Sequence, residues 1–220
     1  MPAARARAAM TPFWLLPAAA LVGGLIGLPL GAVTGRTLKT PRQLSFPVRS
    51  AIVVATAILF VLTAAVFGAS WQLPAFCVFA AAAVVLGAVD LIEKRLPNAV
   101  LYPSVAVLVV LLAITSVITG SWSAFLSALG AGAGLCTLYF VLAVISPSGI
   151  GMGDVKLAAL IGLVLGYLGW TPLLVGTTAG FLIGGLTSLI ALLIGRANRR
   201  TMLPFGPAML AGAVLGMLVA

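Results

Sequence analysis

Residues 73–92 read LPAFCVFAAAAVVLGAVDLI, twenty residues in which the aspartate at position 90 is the one charged side chain. A helix needs about 20 apolar residues to cross the hydrocarbon core of a bilayer. Because lipid offers no hydrogen bonds to the backbone, such a stretch satisfies its polar groups by folding as a helix. The stretch therefore predicts a transmembrane helix with a carboxylate near one end.

The rest of the chain has the same character. Its 220 residues are 63% hydrophobic and 7% charged, with a mean hydropathy of +1.28. A soluble domain carries about 25% charged residues, so most of this surface must face lipid. The sequence predicts one all-α domain over 1–220, a polytopic membrane helix bundle whose first 50 residues form a helix and a short loop. Eight transmembrane helices are predicted at 13–34, 50–68, 73–92, 99–119, 123–145, 155–169, 171–194 and 203–219.

The basic residues predict the orientation of this bundle. Arg5 and Arg7 lie in the N-terminal tail, and the other ten fall in, or within two residues of, alternate gaps between the predicted helices. These ten are Arg36, Lys39, Arg42, Arg49, Lys94, Arg95, Lys156, Arg196, Arg199 and Arg200. The positive-inside rule places those gaps in the cytoplasm and both termini outside. We expect the net charge of +9 to contact membrane lipid and not nucleic acid, because it lies between apolar runs.

Three acidic residues, Asp90, Glu93 and Asp154, are the candidates for chemistry. A carboxylate beside apolar helices is costly, so such residues are usually functional. The predicted topology brings Asp90 and Asp154 to the same cytoplasmic face. Two adjacent carboxylates share one proton, so the ionised one can activate water while the protonated one polarises a carbonyl.

Other hydrolytic chemistries are excluded by composition. The chain has no histidine, which rules out Ser-His-Asp catalysis and H-E-x-x-H zinc sites. Cys77 and Cys136 stand alone in apolar runs, so neither a zinc site nor a disulfide framework is expected. Hydrolysis by paired aspartates, which needs no metal or cofactor, is the main option that remains.

The sequence around Asp154 leaves two interpretations open. Gly151 and Gly153 allow unusual backbone angles and close approach of a substrate before Asp154. Alternatively, Asp154 is a structural cap at or near the start of the sixth helix. Lys156 is interpreted as a cytoplasmic anchor, or as an electrostatic support that biases the proton of the pair.

Asp90 has a structural alternative as well. Lys94 lies four residues further on, so the two could form an i,i+4 ion pair at the end of the third helix. Glu93 adjoins Lys94 and Arg95, and we expect it to be solvated and ion-paired, with a supporting electrostatic role as the alternative.

Three segments resemble motifs of the type IV prepilin peptidases, bacterial aspartyl proteases of the GxGD type. Asp90-Leu91 with Leu96-Pro97-Asn98 resembles the first aspartate segment of that family. Residues 151–157, Gly-Met-Gly-Asp-Val-Lys-Leu, resemble the second, and 204–207, Pro-Phe-Gly-Pro, resemble the stretch that opens the last helix. The resemblance implies that Asp90 and Asp154 are catalytic. It also implies that Gly151, Gly153, Pro97, Asn98, Pro204, Gly206 and Pro207 shape the site.

The resemblance further implies a function. Such an enzyme removes the basic leader peptide of a prepilin or pilin-like protein at the cytoplasmic face of the bacterial cytoplasmic membrane, without a cofactor. Larger members carry an insert with two C-x-x-C pairs between the first two helices, associated with N-methylation. The corresponding gap, 35–50, is short and has no cysteine. We therefore expect a peptidase without methyltransferase activity or use of S-adenosylmethionine.

Two alternatives to this function stay open at the level of sequence. A presenilin-like protease would share the GxGD motif but cut within transmembrane segments, and its first aspartate normally follows a tyrosine in the middle of a helix. A small proton-coupled transporter or assembly protein would use the same acids for proton transfer. The internal repeat typical of such a transporter is not evident in the sequence.

Overall fold

The computed structural model describes residues 12–41, 43–146, 150–194 and 204–220. Within these ranges the chain forms eight α-helices and no strand, which confirms the predicted all-α fold. The helices are α1 (Leu15–Thr37), α2 (Phe46–Phe67), α3 (Leu73–Glu93), α4 (Asn98–Thr119), α5 (Trp122–Ile145), α6 (Met152–Leu168), α7 (Trp170–Leu193) and α8 (Gly206–Leu218). Six residues of the orientation argument lie outside the described residues: Arg5, Arg7, Arg42, Arg196, Arg199 and Arg200.

The helix boundaries follow local sequence signals. α2 begins at Phe46, before the predicted start at 50, because Pro47 is favourable in a first helical turn, where its missing N–H is not needed. α6 begins at Met152, before the predicted start at 155, so Asp154 lies inside its first turn. Gly169 joins α6 to α7 with a φ of 115°, a conformation that side chains other than glycine rarely adopt.

Six of the eight helices are long and apolar enough to cross a membrane, namely α1 to α5 and α7. α6 has 17 residues and α8 has 13, so both are shorter than the stretch of about 20 that spans a bilayer. Eleven of the 17 residues of α6 are buried. In α5 and α7, by contrast, 22% of an apolar stretch of 18 residues is buried. α6 is thus an interior helix, surrounded by protein along most of its length.

The chain divides into two compact units. The first contains the described residues up to Val89 together with Pro97–Trp122, and the second contains Asp90–Leu96 and Ser123–Ala220. In the first unit α1 packs closely on α2. The two helices are so near that a Cβ atom added to Gly27 would lie 2.7 Å from the Cα of Val53. Gly23, Gly27 and Gly31 of α1 recur every four residues, a spacing that allows helices to approach closely in lipid.

Glycines also allow close packing in the second unit, which carries both aspartates. A Cβ at Gly162 in α6 would lie 2.7 Å from the Cα of Gly132 in α5. Gly130 and Gly134, which have the G-x-x-x-G spacing, have open space around them, so in α5 it is Gly132 that makes the contact. α7 and α8 approach each other in the same way, with a Cβ at Gly216 placed 3.0 Å from the Cα of Gly176.

Candidate active site

Asp90 lies in the last turn of α3 and is almost completely buried, with 4% of its surface exposed. Its carboxylate Oδ2 accepts a hydrogen bond of 3.0 Å from the backbone N–H of Gly206, the first residue of α8. The first N–H groups of a helix have no partner within the helix and carry a partial positive charge, so they favour a carboxylate. The N-terminus of α8 therefore holds Asp90 in place.

Gly206 is required at this position for steric reasons. A Cβ atom added to Gly206 would lie 2.7 Å from Oδ2 of Asp90, closer than side-chain carbons approach other atoms in real structures. Pro207 follows in the first turn of α8, where the lack of an N–H costs nothing, and Pro204 precedes the turn. The segment 204–207 thus presents one backbone N–H, that of Gly206, to the buried aspartate.

The end of α3 separates Asp90 from the basic residues that follow it. The helix ends at Glu93, and Lys94 adopts a left-handed conformation with a φ of 52°. The Asp90 carboxylate itself is bound by the N–H of Gly206. Glu93 forms the expected ion pair, with 2.6 Å between its Oε2 and Nε of Arg95.

Asp154 is the third residue of α6, and Gly151 is the N-cap. The carboxylate Oδ2 of Asp154 accepts a hydrogen bond of 3.0 Å from the backbone N–H of Gly151. This bond is the acidic half of a capping box. The capping interpretation of Asp154 is therefore confirmed as a contact, and it leaves the second carboxylate oxygen available for other chemistry. Asp154 is half-buried, and burial raises its pKa despite the opposing effect of the Gly151 hydrogen bond.

The two aspartate segments come together in the second unit. Leu96, which follows the end of α3, packs on Gly153, where an added Cβ would lie 3.3 Å from the Leu96 Cβ. Asp154 is near enough for its negative charge to act on Asp90. The structure thus brings together the segments of two carboxylates that are 64 positions apart in the sequence.

An aromatic cluster beside the aspartates could not be recognised from the sequence. Phe205 lies next to Tyr139 of α5 and Phe181 of α7, with ring centroids 6.5 and 5.9 Å away, and the latter two rings stack at 5.3 Å. Gly184 of α7 leaves the space that the Phe205 ring fills. The charge of Asp154 also acts on Tyr139. The cluster fixes the residue directly before Gly206, and so it positions the N–H donor of Asp90.

The remaining predicted site residues lie at helix starts. Pro97 is buried and is the N-cap of α4, and Asn98 is the exposed first residue of that helix, in the first unit. Lys156 is half-buried in α6, two residues after Asp154. Among the described residues, no group of three or more His, Cys, Asp or Glu side chains could hold a metal ion.

Comparison with known proteins identifies the chain's relatives. The sequence profile of the type IV leader peptidase family matches residues 77–194. A prepilin leader peptidase/N-methyltransferase of Bacillus subtilis (strain 168) is 35% identical over 184 residues, which cover 84% of this chain and 71% of the relative. The chain belongs to the type IV leader peptidase family. No solved structure matches it.

Membership of the leader peptidase family bears on the alternatives left open by the sequence. It supports a peptidase and favours neither a transporter nor a presenilin-like protease. The region that matches the leader peptidase family contains both Asp90 and Asp154 and ends before the segment 204–207. The contact between Gly206 and Asp90 thus links that region to a segment beyond it.

Proposed function

We propose that the protein is a membrane-embedded aspartic endopeptidase that uses Asp90 and Asp154 as its catalytic pair. The observation that carries the proposal is geometric: the segment after Asp90 packs on Gly153, next to Asp154, and each carboxylate accepts a hydrogen bond from a backbone N–H at the start of a helix. Both lie in a chain with three acids in total, where a carboxylate beside apolar helices is costly. Such a cost is tolerated where the group performs chemistry.

The pair can hydrolyse a peptide bond without further groups. Repulsion between two close carboxylates favours a state in which they share one proton. The ionised aspartate then takes a proton from water, whose oxygen bonds to the scissile carbonyl carbon, while the protonated aspartate donates a hydrogen bond to the carbonyl oxygen. The proton taken from water passes to the leaving nitrogen, the C–N bond breaks, and the pair returns to its singly protonated state. The raised pKa of Asp154 is consistent with a carboxyl group that holds a proton more readily than a solvated one does.

The proposed substrate class is based on the name of the Bacillus subtilis relative. The Bacillus subtilis protein is named a prepilin leader peptidase, so we propose a prepilin or pilin-like protein as the substrate. The distribution of basic residues supports a site that faces the cytoplasm from the bacterial cytoplasmic membrane. A basic leader would be drawn to a local acidic group formed by Asp90, Asp154 and Glu93.

We also propose that this protein does not methylate its product. The α1–α2 connection consists of residues 38–45 and contains no cysteine. The insert that the resemblance associates with methylation has two C-x-x-C pairs, for which this connection has neither the length nor the ligands. Mass spectrometry of the processed substrate tests this point: an unmodified N-terminal amine is expected, and an added methyl group would contradict it.

The catalytic proposal is tested by co-expression with a pilin-like substrate and measurement of leader removal. Asp90→Asn and Asp154→Asn should each reduce cleavage by on the order of 10²–10⁴-fold, the usual contribution of a general acid or base. Glu93→Gln removes the third acid of the chain and should reduce cleavage by less than about fivefold, because the half-buried Glu93 is paired with Arg95 and its carboxylate is already engaged. Unchanged cleavage by either asparagine variant would refute the pair.

A further inference from the structure

The connection between α1 and α2 forms a cavity that the peptidase chemistry does not use. The cavity lies in the first unit and has a volume of about 430 Å³, within the range of about 300–1,000 Å³ that is typical of small-molecule sites. Its walls come from the last turns of α1, the first turn of α2 and the residues between them. Arg36, Gln43 and Arg49 contribute the polar groups.

The two arginines of this cavity lack a counter-charge from the protein. Neither Arg36 nor Arg49 forms an ion pair within the described part of the chain. No acidic residue is among the described residues that line the cavity, and all three acids of the chain belong to the second unit. Two guanidinium groups that share one concave site repel each other, so the site favours an anion.

The position of the cavity limits which anion is available. α1 and α2 are both long and apolar enough to cross a membrane, and the cavity lies where the two helices are joined. The ends of membrane helices lie at the depth of the lipid headgroups, where phosphates are concentrated. The apolar stem of Arg49 runs along α1 at Gly31, where a Cβ would lie at an ordinary contact distance of 3.5 Å from Cγ of Arg49.

We propose that this cavity binds the phosphate of an anionic lipid headgroup. Arg36 and Arg49 are the charged ligands, since the planar guanidinium group matches a phosphate with two parallel hydrogen bonds. Gln43 supplies an amide N–H donor for the remaining oxygens. The site is independent of the aspartate pair and of the proposed function, and its occupant is a component of the membrane.

Native mass spectrometry of the full chain in mild detergent tests the proposal, with phosphatidylglycerol and phosphatidylcholine of identical acyl chains as probes. The wild type should retain phosphatidylglycerol preferentially. The double variant Arg36→Gln/Arg49→Gln should bind it roughly 30-fold more weakly, because each basic residue near an anionic surface contributes about 1 kcal/mol. Lys39→Gln removes a cation of the same loop that is outside the cavity lining, so it should retain the lipid.

Three outcomes would overturn the proposal. The first is equal retention of phosphatidylglycerol by the wild type and the double glutamine variant. The second is equal binding of phosphatidylcholine, whose headgroup has no net charge. The third is displacement of the lipid by inorganic phosphate at equal concentration, which would identify a free anion as the ligand. Arg36→Lys/Arg49→Lys keeps both charges but loses the two parallel hydrogen bonds, so it should bind more weakly than the wild type and more tightly than the double glutamine variant. This intermediate affinity separates loss of charge from loss of folding.

Discussion

Asp90 and Asp154 are the same kind of side chain held in two different ways. Asp90 ends a helix, is 4% exposed, and accepts its hydrogen bond from Gly206, 116 positions later in the chain. Asp154 begins a helix, is half-buried, and accepts its hydrogen bond from Gly151, three positions earlier. The geometry of Asp90 therefore depends on tertiary packing, whereas that of Asp154 is contained in one helical turn. Substitutions far from the aspartates in the sequence should therefore disturb the geometry of Asp90 and leave that of Asp154 unchanged.

Among substitutions of residues other than the aspartates themselves, the largest effect is expected for Gly206→Ala. The new Cβ would lie 2.7 Å from Oδ2 of Asp90, so α8 must move away or the carboxylate must rotate. A displacement of about 1 Å at a catalytic group can reduce a rate by roughly 100-fold, and we expect a loss of that size in leader cleavage. Gly185→Ala, in α7, is the matched control because it has open space around it. Cleavage at the wild-type rate by Gly206→Ala would show that the Asp90 contact is not needed.

A smaller effect is expected for Phe205→Ala. Removal of the ring leaves a gap against Gly184 and frees the segment that presents the Gly206 N–H, so the position of Asp90 becomes less defined. We expect kcat to fall roughly tenfold with little change in KM, because the group acts through positioning and not through substrate binding. Phe205→Leu should restore part of the activity.

The matched control for this variant is Phe140→Ala. Phe140 follows Tyr139 in α5 but is 49% exposed, which is typical of a residue that faces lipid. Its removal should leave cleavage unchanged. Equal losses in Phe205→Ala and Phe140→Ala would indicate a general loss of packing and would remove the special role of the aromatic cluster.

The raised pKa of Asp154 predicts a pH dependence of stability. A carboxyl group whose pKa is higher in the folded state binds protons more readily there than in the unfolded chain. Stability should therefore fall as the pH rises from the unfolded pKa of about 4 through the folded value, and then level off. Thermal unfolding in detergent should show this decrease for the wild type and a smaller one for Asp154→Asn. A stability that rises with pH over this range would contradict the assigned direction.

Much of the helical framework could be predicted from the sequence, because apolar stretches separated by Gly, Pro and charged residues mark each helix. The sequence predicts that α6 starts at 155, whereas the helix starts at Met152, because the capping contact between Asp154 and Gly151 is local geometry that composition does not reveal. The sequence also predicts α6 and α8 as transmembrane helices, whereas their 17 and 13 residues are fewer than a membrane span needs. A short buried helix and a spanning helix are equally apolar, so composition alone cannot separate them.

The sequence predicts the two aspartates of the candidate site but not the residues that hold them in place. An acid in an apolar chain stands out, which is why Asp90 and Asp154 could be selected. Tyr139 and Phe181 are aromatic residues in helices that are apolar on every side, so no periodic pattern distinguishes them from residues that face lipid. The hydrogen bond from Gly206 to Asp90 joins residues far apart in the sequence, and it depends on the packing of α8, which no local pattern encodes.

The smallest effect is expected for Gly151→Ala, although Gly151 is the first glycine of the GxGD motif. Its backbone angles, φ −85° and ψ 156°, are extended and open to any residue. An added Cβ would lie 3.6 Å from Oδ2 of Asp154, an ordinary van der Waals distance, and the N–H that binds Asp154 is retained. Cleavage should stay within roughly threefold of the wild type, because the turn that holds Asp154 is unchanged.

Gly153→Ala provides the contrast within the same motif. There the added Cβ would lie 3.3 Å from the Leu96 Cβ, so the segment that follows Asp90 must shift by a few tenths of an ångström. We expect a loss of roughly tenfold in the same cleavage assay, larger than for Gly151→Ala and smaller than for Gly206→Ala. The order Gly206, Gly153, Gly151 would mean that contacts to the Asp90 side control the site. The reverse order would mean that Asp154 is the more sensitive partner, and that local capping does not protect it.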